Sequence, residues 1–179
     1  MNIEKALLTE GWMHDDELKW LAEQASAKNL IVEIGSFKGR STRALGDNAL
    51  GKVIAIDHWN GEDYVGLNEE QRQLLYKEFC TNLSDLIESK KVTPYRMNSG
   101  DVNNVPELEQ LKPDMVFIDG DHMYENIKRD IEIWLPKVVN GGLICGHDAA
   151  YYPVIRSVRE LIPDHELVKG TTIWMAVKK

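Results

Sequence analysis

Short β-branched runs alternate with segments of helical periodicity along almost the whole 179-residue chain. Runs such as Ile31-Val32 and Val53-Ile54 are apolar without alternation, which is typical of strands buried on both faces of a parallel sheet. We therefore predict strands over residues 30–34, 52–57, 92–97, 114–119 and 142–147. Because parallel strands are joined by crossover helices, this alternation predicts an α/β sandwich of three layers.

Helical spacing of apolar residues predicts helices over residues 15–27, around 40–45, over 75–87, around 102–111 and over 123–135. Near the C-terminus, residues 165–168 and 172–177 flank a glycine-containing turn and predict an antiparallel hairpin. The expected fold is a Rossmann-like, doubly wound, mostly parallel sheet of about seven strands that ends in this hairpin. We expect one domain over residues 1–179, with residues 1–28 as an N-terminal helical extension.

The charge and the cysteines restrict the expected partners and location. The chain has 29 acidic and 21 basic residues, a net charge of −8, and its adjacent basic pairs are Lys90-Lys91 and Lys178-Lys179. A phosphate backbone is bound through clustered Lys and Arg, so we expect neither nucleic acid nor a membrane as a partner. Cys80 and Cys145 form no disulfide framework, and no apolar run reaches the roughly 20 residues that span a bilayer. We expect a cytoplasmic protein.

Polar residues follow the predicted parallel strands at the edge where doubly wound sheets bind ligands. After the first strand, the segment Glu33-Ile34-Gly35-Ser36-Phe37-Lys38-Gly39 leads directly into a helix. Gly35 permits a tight turn and Gly39 a close approach to a ligand, although a plain strand-to-helix turn explains both glycines as well. The segment is neither a Gly-x-Gly-x-x-Gly nor a Walker motif, and the anionic Glu33 favours a ligand with hydroxyls or a positive charge. Asp57 ends the second strand, where it can accept hydrogen bonds from a ribose diol or serve as a loop or cap residue.

Together these motifs resemble the class I S-adenosylmethionine-dependent methyltransferases. Two further segments narrow the resemblance, and they are Phe117-Ile118-Asp119-Gly120-Asp121-His122-x-Tyr124 and Gly141-Gly142-Leu143-Ile144-x-Gly146-His147-Asp148. They are similar to the small O-methyltransferase family called methyltransferase 24, which includes cephalosporin-hydroxylase-like proteins and sugar or macrolide methyltransferases. The segment Asp57-His58-Trp59-x-Gly61-x-Asp63 is similar to a further family motif, from which it departs by His58 in place of Thr and by the extra Glu62. The resemblance covers about residues 30 to 177.

The resemblance implies a site for S-adenosylmethionine formed by Glu33, Gly35, Ser36, Gly39, Asp57, His58, Trp59, Ser99, Asp101 and Asp119. Glu33 and Gly35 would lie against the amino-acid end of this cofactor, and Asp57 would hold its ribose hydroxyls. Trp59 would wall the adenine pocket, and Asp101 would lie near the adenine amino group. As an alternative, Asp101 is the N-cap of the helix that follows it.

Asp119, His147 and Asp148 end neighbouring strands, so we expect their side chains to converge. In related metal-dependent O-methyltransferases, the corresponding positions bind a metal ion, and carboxylate oxygens suit Mg²⁺. This chain departs from that pattern at His147, because imidazole prefers transition metals. Three alternatives follow. Asp119 and Asp148 hold Mg²⁺ or Mn²⁺ while His147 does other work, or the metal is a borderline one, or there is no metal.

The candidate catalytic residues are Asp119, His122 and His147. Histidine has a pKa range suited to general-base chemistry, whereas the alternative for His122 is a surface or core role. Asp121 is the expected N-cap of the helix that follows it, and His14, His58 and His165 are expected to be structural or to face solvent. Methyl transfer is an in-line displacement that needs an oriented acceptor hydroxyl and a proton acceptor, but no serine or cysteine nucleophile.

The predicted function is therefore an S-adenosylmethionine-dependent O-methyltransferase for a hydroxyl of a small molecule or sugar. The alternatives are an NAD(P)-dependent oxidoreductase and a non-catalytic partner subunit that binds the cofactor. A sugar is suggested by residues 58–68, where Trp59, Tyr64 and Asp63 can stack on a sugar ring and hydrogen-bond to it. Small enzymes of this kind are commonly homodimers.

Overall fold

A seven-stranded sheet forms the centre of the computed structural model, which describes residues 1–61 and 67–179. Its strands are β1 (Leu30–Ile34), β2 (Lys52–Asp57), β3 (Val92–Arg96), β4 (Met115–Ile118), β5 (Leu143–Gly146), β6 (Glu166–Leu167) and β7 (Trp174–Val177). The strand order is β3-β2-β1-β4-β5-β7-β6, with β1 to β5 parallel and β7 antiparallel to both β5 and β6. The predicted Rossmann-like sheet and its antiparallel hairpin are confirmed.

Helices cover both faces of this sheet. In chain order they are α1 (Glu4–Leu8), α2 (Asp15–Ala25), α3 (Arg40–Asn48), α4 (Glu69–Asn82), α5 (Ser84–Glu88), α6 (Pro106–Glu109), α7 (Tyr124–Trp134) and α8 (Tyr152–Leu161). One apolar cluster joins α2, α3 and α4 to sheet residues such as Ile31, and the other joins α7 and α8 to the opposite face through residues such as Val32. Successive strand residues point to opposite faces, so two helical layers enclose the sheet.

The helix predicted around residues 102–111 does not form as one element. The chain makes a 3₁₀ turn over Ser99–Asn104 and then the single turn α6. Pro106 is the reason, because proline disfavours helical backbone at the residue before it, and Val105 is accordingly extended (φ −115°, ψ 105°). Helix α8, which was not predicted, buries Val154 and Val158 at helical spacing.

The N-terminal extension is helical as expected and packs onto the sheet sandwich. Helix α2 buries Leu18, Leu21, Ala22 and Ala25 in the cluster that also contains α3 residues. It ends at Ala25, two residues before the predicted end. None of the helices in the described ranges has the length and apolar character to cross a bilayer.

Candidate active site

Two adjoining cavities open at the carboxyl edge of the sheet, one of about 530 Å³ and one of about 120 Å³. Both are lined by residues that follow β1, β2 and β4, namely Gly35, Asp57, His58, Gly120 and Asp121. The strand order reverses between β1 and β4, and ligands of doubly wound sheets bind at such a reversal. The two cavities therefore lie where the sequence predicts a ligand.

The turn between β1 and α3 is shaped by two glycines with left-handed backbone. Gly35 has φ +81°, and a Cβ there would lie 2.3 Å from the carbonyl oxygen of Asp119 and from Cα of Gly120. Gly39 has φ +92°, and its Cβ would lie 2.2 Å from Leu83. Gly35 lines both cavities, but Gly39 lines neither. The predicted close approach at Gly39 is therefore to the Leu83 side chain rather than to a ligand.

Glu33 lies under this turn and accepts a hydrogen bond from it. It is fully buried, and its Oε2 accepts hydrogen bonds from Oγ of Ser36 (2.7 Å) and Oγ1 of Thr42 (2.5 Å), whereas Oε1 has no partner among the described residues. Burial raises the pKa of Glu33 to about 7. Ser36 lines the larger cavity and Glu33 does not. In this structure Glu33 thus supports the ligand-facing turn through the Ser36 hydroxyl.

Asp57 lies where a ribose-binding carboxylate is expected, but three backbone groups already hold it. Its Oδ2 accepts from the amides of Ser36 and Phe37 (2.9 Å each), and its Oδ1 accepts from the amide of Trp59 (2.6 Å). A carboxylate has about four acceptor positions, so Oδ1 keeps one for a ligand hydroxyl. His58, the next residue, is partly exposed and lines both cavities.

Trp59 does not wall a pocket as predicted. Its side chain is 1% exposed, packs against Tyr76 and Phe79, and donates its indole N–H to the carbonyl of Phe37 (2.7 Å). A buried indole gains both apolar burial and a hydrogen bond there, which explains its place in the core. The predicted contact of its ring with a ligand was wrong.

Of the two predicted cofactor-binding residues that follow β3, only one lines the smaller cavity. Ser99 lines it and donates to Oδ1 of Asp130 (2.7 Å), whereas Asp101 is exposed and lines neither cavity. The N-cap alternative for Asp101 is also wrong, because Asn98 caps the 3₁₀ turn by accepting from the amide of Gly100 (2.8 Å). The predicted place of Asp101 beside an adenine pocket is therefore corrected.

Helix α7 supplies three polar residues to the smaller cavity that the sequence analysis missed: Asn126, Arg129 and Asp130. Asp130 is 2% exposed, and burial raises its pKa to about 6. Their spacing of three and four residues was the available signal, since it places the three side chains on one face of α7. Asp121, just before this helix, accepts from the amide of Met123 (2.5 Å) and from Nδ2 of Asn126 (2.6 Å). It holds the turn before α7, while Met123 occupies the N-cap position.

The predicted catalytic residues converge on the larger cavity. Nδ1 of His147 lies 3.2 Å from Oδ2 of Asp148 and 3.5 Å from Oδ1 of Asp119. Nε2 of His122 lies 2.8 Å from the same Asp148 oxygen, and its ring stacks on Tyr151 with centroids 5.2 Å apart. All four titratable side chains line this cavity.

Charge pairing shifts the pKa values of this cluster. Burial disfavours a charge on His147, but the surrounding carboxylates outweigh it and raise the pKa of His147 to about 12. The bond to Asp148 raises the pKa of His122. Burial raises the pKa of Asp119 more than His147 lowers it, whereas His122 and His147 together overcome burial and lower the pKa of Asp148. Among the carboxylates, Asp119 is thus the one best able to take up a proton.

Glu17 of helix α2 is the residue that the sequence analysis missed most completely. It is 2% exposed, and its Oε2 lies 3.0 Å from Nε2 of His147, on the side of the ring opposite Asp119. Burial raises the pKa of this carboxyl, but His147 and two backbone amides outweigh it and lower the pKa to about 2. In sequence, Glu17 is an acidic residue in the first turn of a helix, which predicts only a helix-terminal role.

Asp119, His147 and Asp148 could hold a divalent ion, because one ligand atom from each lies within 4.8 Å of the others. The Glu17 carboxylate on Nε2 of His147 fits this use, since a histidine that binds a metal commonly offers its other ring nitrogen to a carboxylate. Two oxygens and one nitrogen suit Mn²⁺ at least as well as Mg²⁺. An ion would have to displace the proton from Nδ1 of His147.

Comparison with known families identifies the class of this protein. Residues 32–149, more than half of the chain, match the methyltransferase 24 family model, which describes a methyltransferase domain. The chain belongs to this family and contains its methyltransferase domain. The resemblance seen in the sequence is confirmed.

Individual relatives are more distant. The chain is similar to an O-methyltransferase from Bacillus cereus in complex with SAH (16% identity, TM-score 0.67, 98% of this chain and 90% of that chain). It is also similar to the calicheamicin methyltransferase CalS11, with 14% identity and a TM-score of 0.67 over 89% of this chain and 76% of that chain. The O-methyltransferase TomG from Streptomyces achromogenes in complex with SAM is similar as well, with 13% identity and a TM-score of 0.67 over 94% of this chain and 82% of that chain. A protein of Sinorhizobium fredii, y4gI, is 24% identical over 135 residues, and the match covers 72% of this chain and 14% of that protein. At these identities the solved structures show a shared fold.

Proposed function

We propose that this chain transfers the methyl group of S-adenosylmethionine to a hydroxyl of a small molecule or sugar. The observation that carries the proposal is the crevice at the strand-order reversal, with a nucleoside-type carboxylate, Asp57, on one side and the Asp119, His147 and Asp148 cluster on the other. Two structurally similar proteins are in complex with SAM or SAH, which supports the cofactor.

In this proposal, one group of residues binds the cofactor and another group meets the acceptor hydroxyl. Gly35, Asp57 and His58 bind the cofactor in the part of the crevice that both cavities share, and Ser36 adds a hydroxyl from the larger cavity. The acceptor enters the larger cavity, where its hydroxyl meets the polar cluster at the ends of β4 and β5. Holding the two reactants in line for displacement is the main requirement of the reaction.

Proton transfer is assigned to the same cluster. His147 carries a proton on both ring nitrogens when no metal ion is bound, because its pKa is about 12. Asp119 or His122 then accepts the hydroxyl proton, and Asp119 has the carboxylate with the raised pKa. A divalent ion held by Asp119, Asp148 and Nδ1 of His147 would supply Lewis-acid chemistry and lower the pKa of the hydroxyl.

The test is methyl transfer itself. Radiolabelled S-adenosylmethionine is incubated with the protein and a panel of catechols, phenols and glycosides, and labelled products are identified by mass spectrometry. We expect a methyl ether, with turnover at least about tenfold lower in Asp119→Asn and SAH affinity nearly unchanged, since that residue would contact the reacting hydroxyl rather than the nucleoside. No SAH binding together with NADH binding would instead favour the oxidoreductase alternative.

Metal dependence is tested by chelation. We expect activity to be lost in EDTA and restored by Mn²⁺ or Mg²⁺, because an ion held by Asp119 and Asp148 would lower the pKa of the acceptor hydroxyl, which the imidazolium of His147 does less strongly. Full activity in a metal-free preparation would show that the His147 imidazolium alone is sufficient.

Aromatic side chains support a ring-shaped acceptor. The rings of Trp12 and Phe37 lie at the larger cavity with centroids 4.6 Å apart and planes tilted by 39°, and Tyr151 stacks on His122 at the same cavity. Such faces suit sugar rings as well as planar rings. The predicted sugar contacts at Asp63 and Tyr64 lie outside the described residues. A sugar acceptor, a homodimer, the absence of a nucleic-acid partner and a cytoplasmic location stay proposals drawn from the sequence.

A further inference from the structure

We propose that Glu17 is a positioning residue of the active site, which holds the His147 imidazole by its Nε2 side so that Nδ1 faces Asp119 and Asp148. The inference rests on the proposed function, because it assigns this orientation to the methyl-transfer site. It adds a residue from the N-terminal helix, outside the segment that matches the methyltransferase family.

Glu17 is itself held from two other parts of the chain. Its Oε1 accepts from the amide (2.9 Å) and the hydroxyl (3.0 Å) of Thr172, in the turn between β6 and β7. Its Oε2 accepts from the amide of His14 at the start of α2 (2.9 Å). With three donors bound, the carboxylate has little freedom to turn. Thr172 also lies outside the family match, so both ends of this contact come from beyond residues 32–149.

The remaining acceptor position of Glu17 points at His147. Oε2 lies 3.0 Å from Nε2, at an angle too oblique for a regular hydrogen bond, so the contact is an ion pair. Nε2 is shielded from solvent and makes no hydrogen bond to another described residue that would compete with it. On the other side of the ring, Nδ1 lies beside Asp119 and Asp148.

Glu17 adds to the preference of the ring for this orientation over the flipped one. A half-turn about the Cβ–Cγ bond exchanges Nδ1 with a carbon, and so removes a nitrogen from the Asp119 and Asp148 side. A carboxylate on Nε2 favours the unflipped ring and keeps the proton on Nε2, as outer carboxylates do for histidines in metal sites. The nitrogen that faces the cavity is then the same in every molecule.

The competing explanation is that Glu17 only ties α2 to the hairpin. A matched control separates the two roles. Asp114 at the opposite edge of the sheet also anchors backbone, since its carboxylate accepts from the amides of Asn29 (2.8 Å) and Leu30 (3.0 Å). Asp114→Asn therefore makes the same carboxylate-to-amide change at a purely structural contact.

The experiment compares Glu17→Gln with Asp114→Asn in full-length protein. The ring nitrogens of His147 are observed by NMR after ¹⁵N-histidine labelling and are assigned with His147→Asn. We expect Nε2 to carry a proton in the wild-type protein and in Asp114→Asn. Glu17→Gln removes the carboxylate charge beside Nε2, so we expect the Nε2 resonance to shift and its proton to exchange faster than in the wild-type protein. Turnover on the acceptor found in the methyl-transfer screen should fall at least about tenfold, with the KM for S-adenosylmethionine within about twofold of wild type.

An unchanged His147 spectrum in folded Glu17→Gln, with turnover equal to that of Asp114→Asn, would overturn the proposal. If Glu17→Gln does not fold, exchange of the His147 Nε2 proton in the wild-type protein decides. Slow exchange supports a held ring, and exchange as fast as at the partly exposed His58 overturns it. The NMR arm needs no acceptor, so a shifted ring without any SAH binding would reject the proposed function and leave the positioning role intact.

Discussion

At the residue scale, the carboxylate of Asp57 shapes a turn and is also the group that we propose for cofactor binding. Three backbone amides hold it against the β1–α3 turn, and one acceptor position faces the crevice. The cofactor-binding role that we propose for Asp57 is therefore inseparable from its role in shaping the turn, whereas Asp101 is exposed and holds no such turn.

Replacing Asp57 should weaken cofactor binding, whereas replacing Asp101 should not. We expect Asp57→Ala to reduce the binding free energy of SAH by about 1–3 kcal/mol, the usual cost of losing charge-assisted hydrogen bonds. Asp101→Ala should bind as the wild type does, because Asp101 lines neither cavity. Calorimetry on folded protein measures both variants, and equal losses in the two would contradict the structural placement of Asp101.

Glu33 should make the stability of the protein depend on pH. Its pKa is about 7 in the folded state against 4.5 ordinarily, because burial penalises its charge. The stability it contributes is therefore complete below about pH 4.5 and is lost as pH rises through 7. Glu33→Gln removes this ionisation, so relative to wild type it should gain about 2 kcal/mol of unfolding free energy between pH 5 and pH 8. Urea unfolding at both pH values measures the gain, and parallel stability profiles would show that Glu33 does not titrate in this range.

Among the elements, the β1–α3 turn is the one that the rest of the crevice depends on. It carries Gly35 to both cavities and Ser36 to the larger one, and its amides bind the Asp57 carboxylate of β2. The approach of this turn to the backbone after β4 is so close that only a residue without Cβ fits. Gly35 is thus required by the fold as well as by any ligand.

A pair of alanine substitutions separates backbone strain from this close approach. Gly35 and Gly170 share φ +81°, but nothing lies within 4 Å of a Cβ at Gly170. We expect Gly170→Ala to cost about 1 kcal/mol from left-handed backbone alone, and Gly35→Ala to cost about 3 kcal/mol or more. Urea unfolding gives both values. Equal costs would mean that the Asp119–Gly120 segment yields freely to the added methyl group.

At the scale of the whole molecule, the crevice couples ligand binding to overall stability. Its lining includes residues that follow each of the strands β1 to β5, residues of helix α7 and residues of the segment before α2. A ligand bound there contacts segments from most of the chain. Binding should therefore stabilise the molecule as a unit rather than one element.

SAH should raise the unfolding free energy, and NADH should not. At a free concentration of about 100 times its dissociation constant, a ligand of the native state alone adds about 2.7 kcal/mol. Thermal unfolding with each ligand measures the difference. Stabilisation by NADH and not by SAH would contradict the proposed cofactor.

The sequence by itself determined the sheet and the edge on which the site lies. Unbroken apolar runs such as Val116–Ile118 can only be buried on both faces, so strands, parallel pairing and crossover helices follow from local pattern. Parallel strands end at one edge, which is why Asp57, Asp119 and His147 could be expected near one crevice before any coordinates. The bounds of the five parallel strands were predicted to within one residue, because burial sets them, whereas the predicted helices over 75–87 and 102–111 each divide into two elements.

Only the tertiary structure decided which polar side chains meet. Glu17 and His147 are more than a hundred residues apart, and their contact depends on how α2 packs onto the sheet. Trp59 turned into the core because its indole found apolar neighbours and the Phe37 carbonyl there. Hydrophobic periodicity specifies the buried face of an element but not the residues that this face contacts. For that reason the contact between Glu17 and Nε2 of His147 could not be predicted from the sequence.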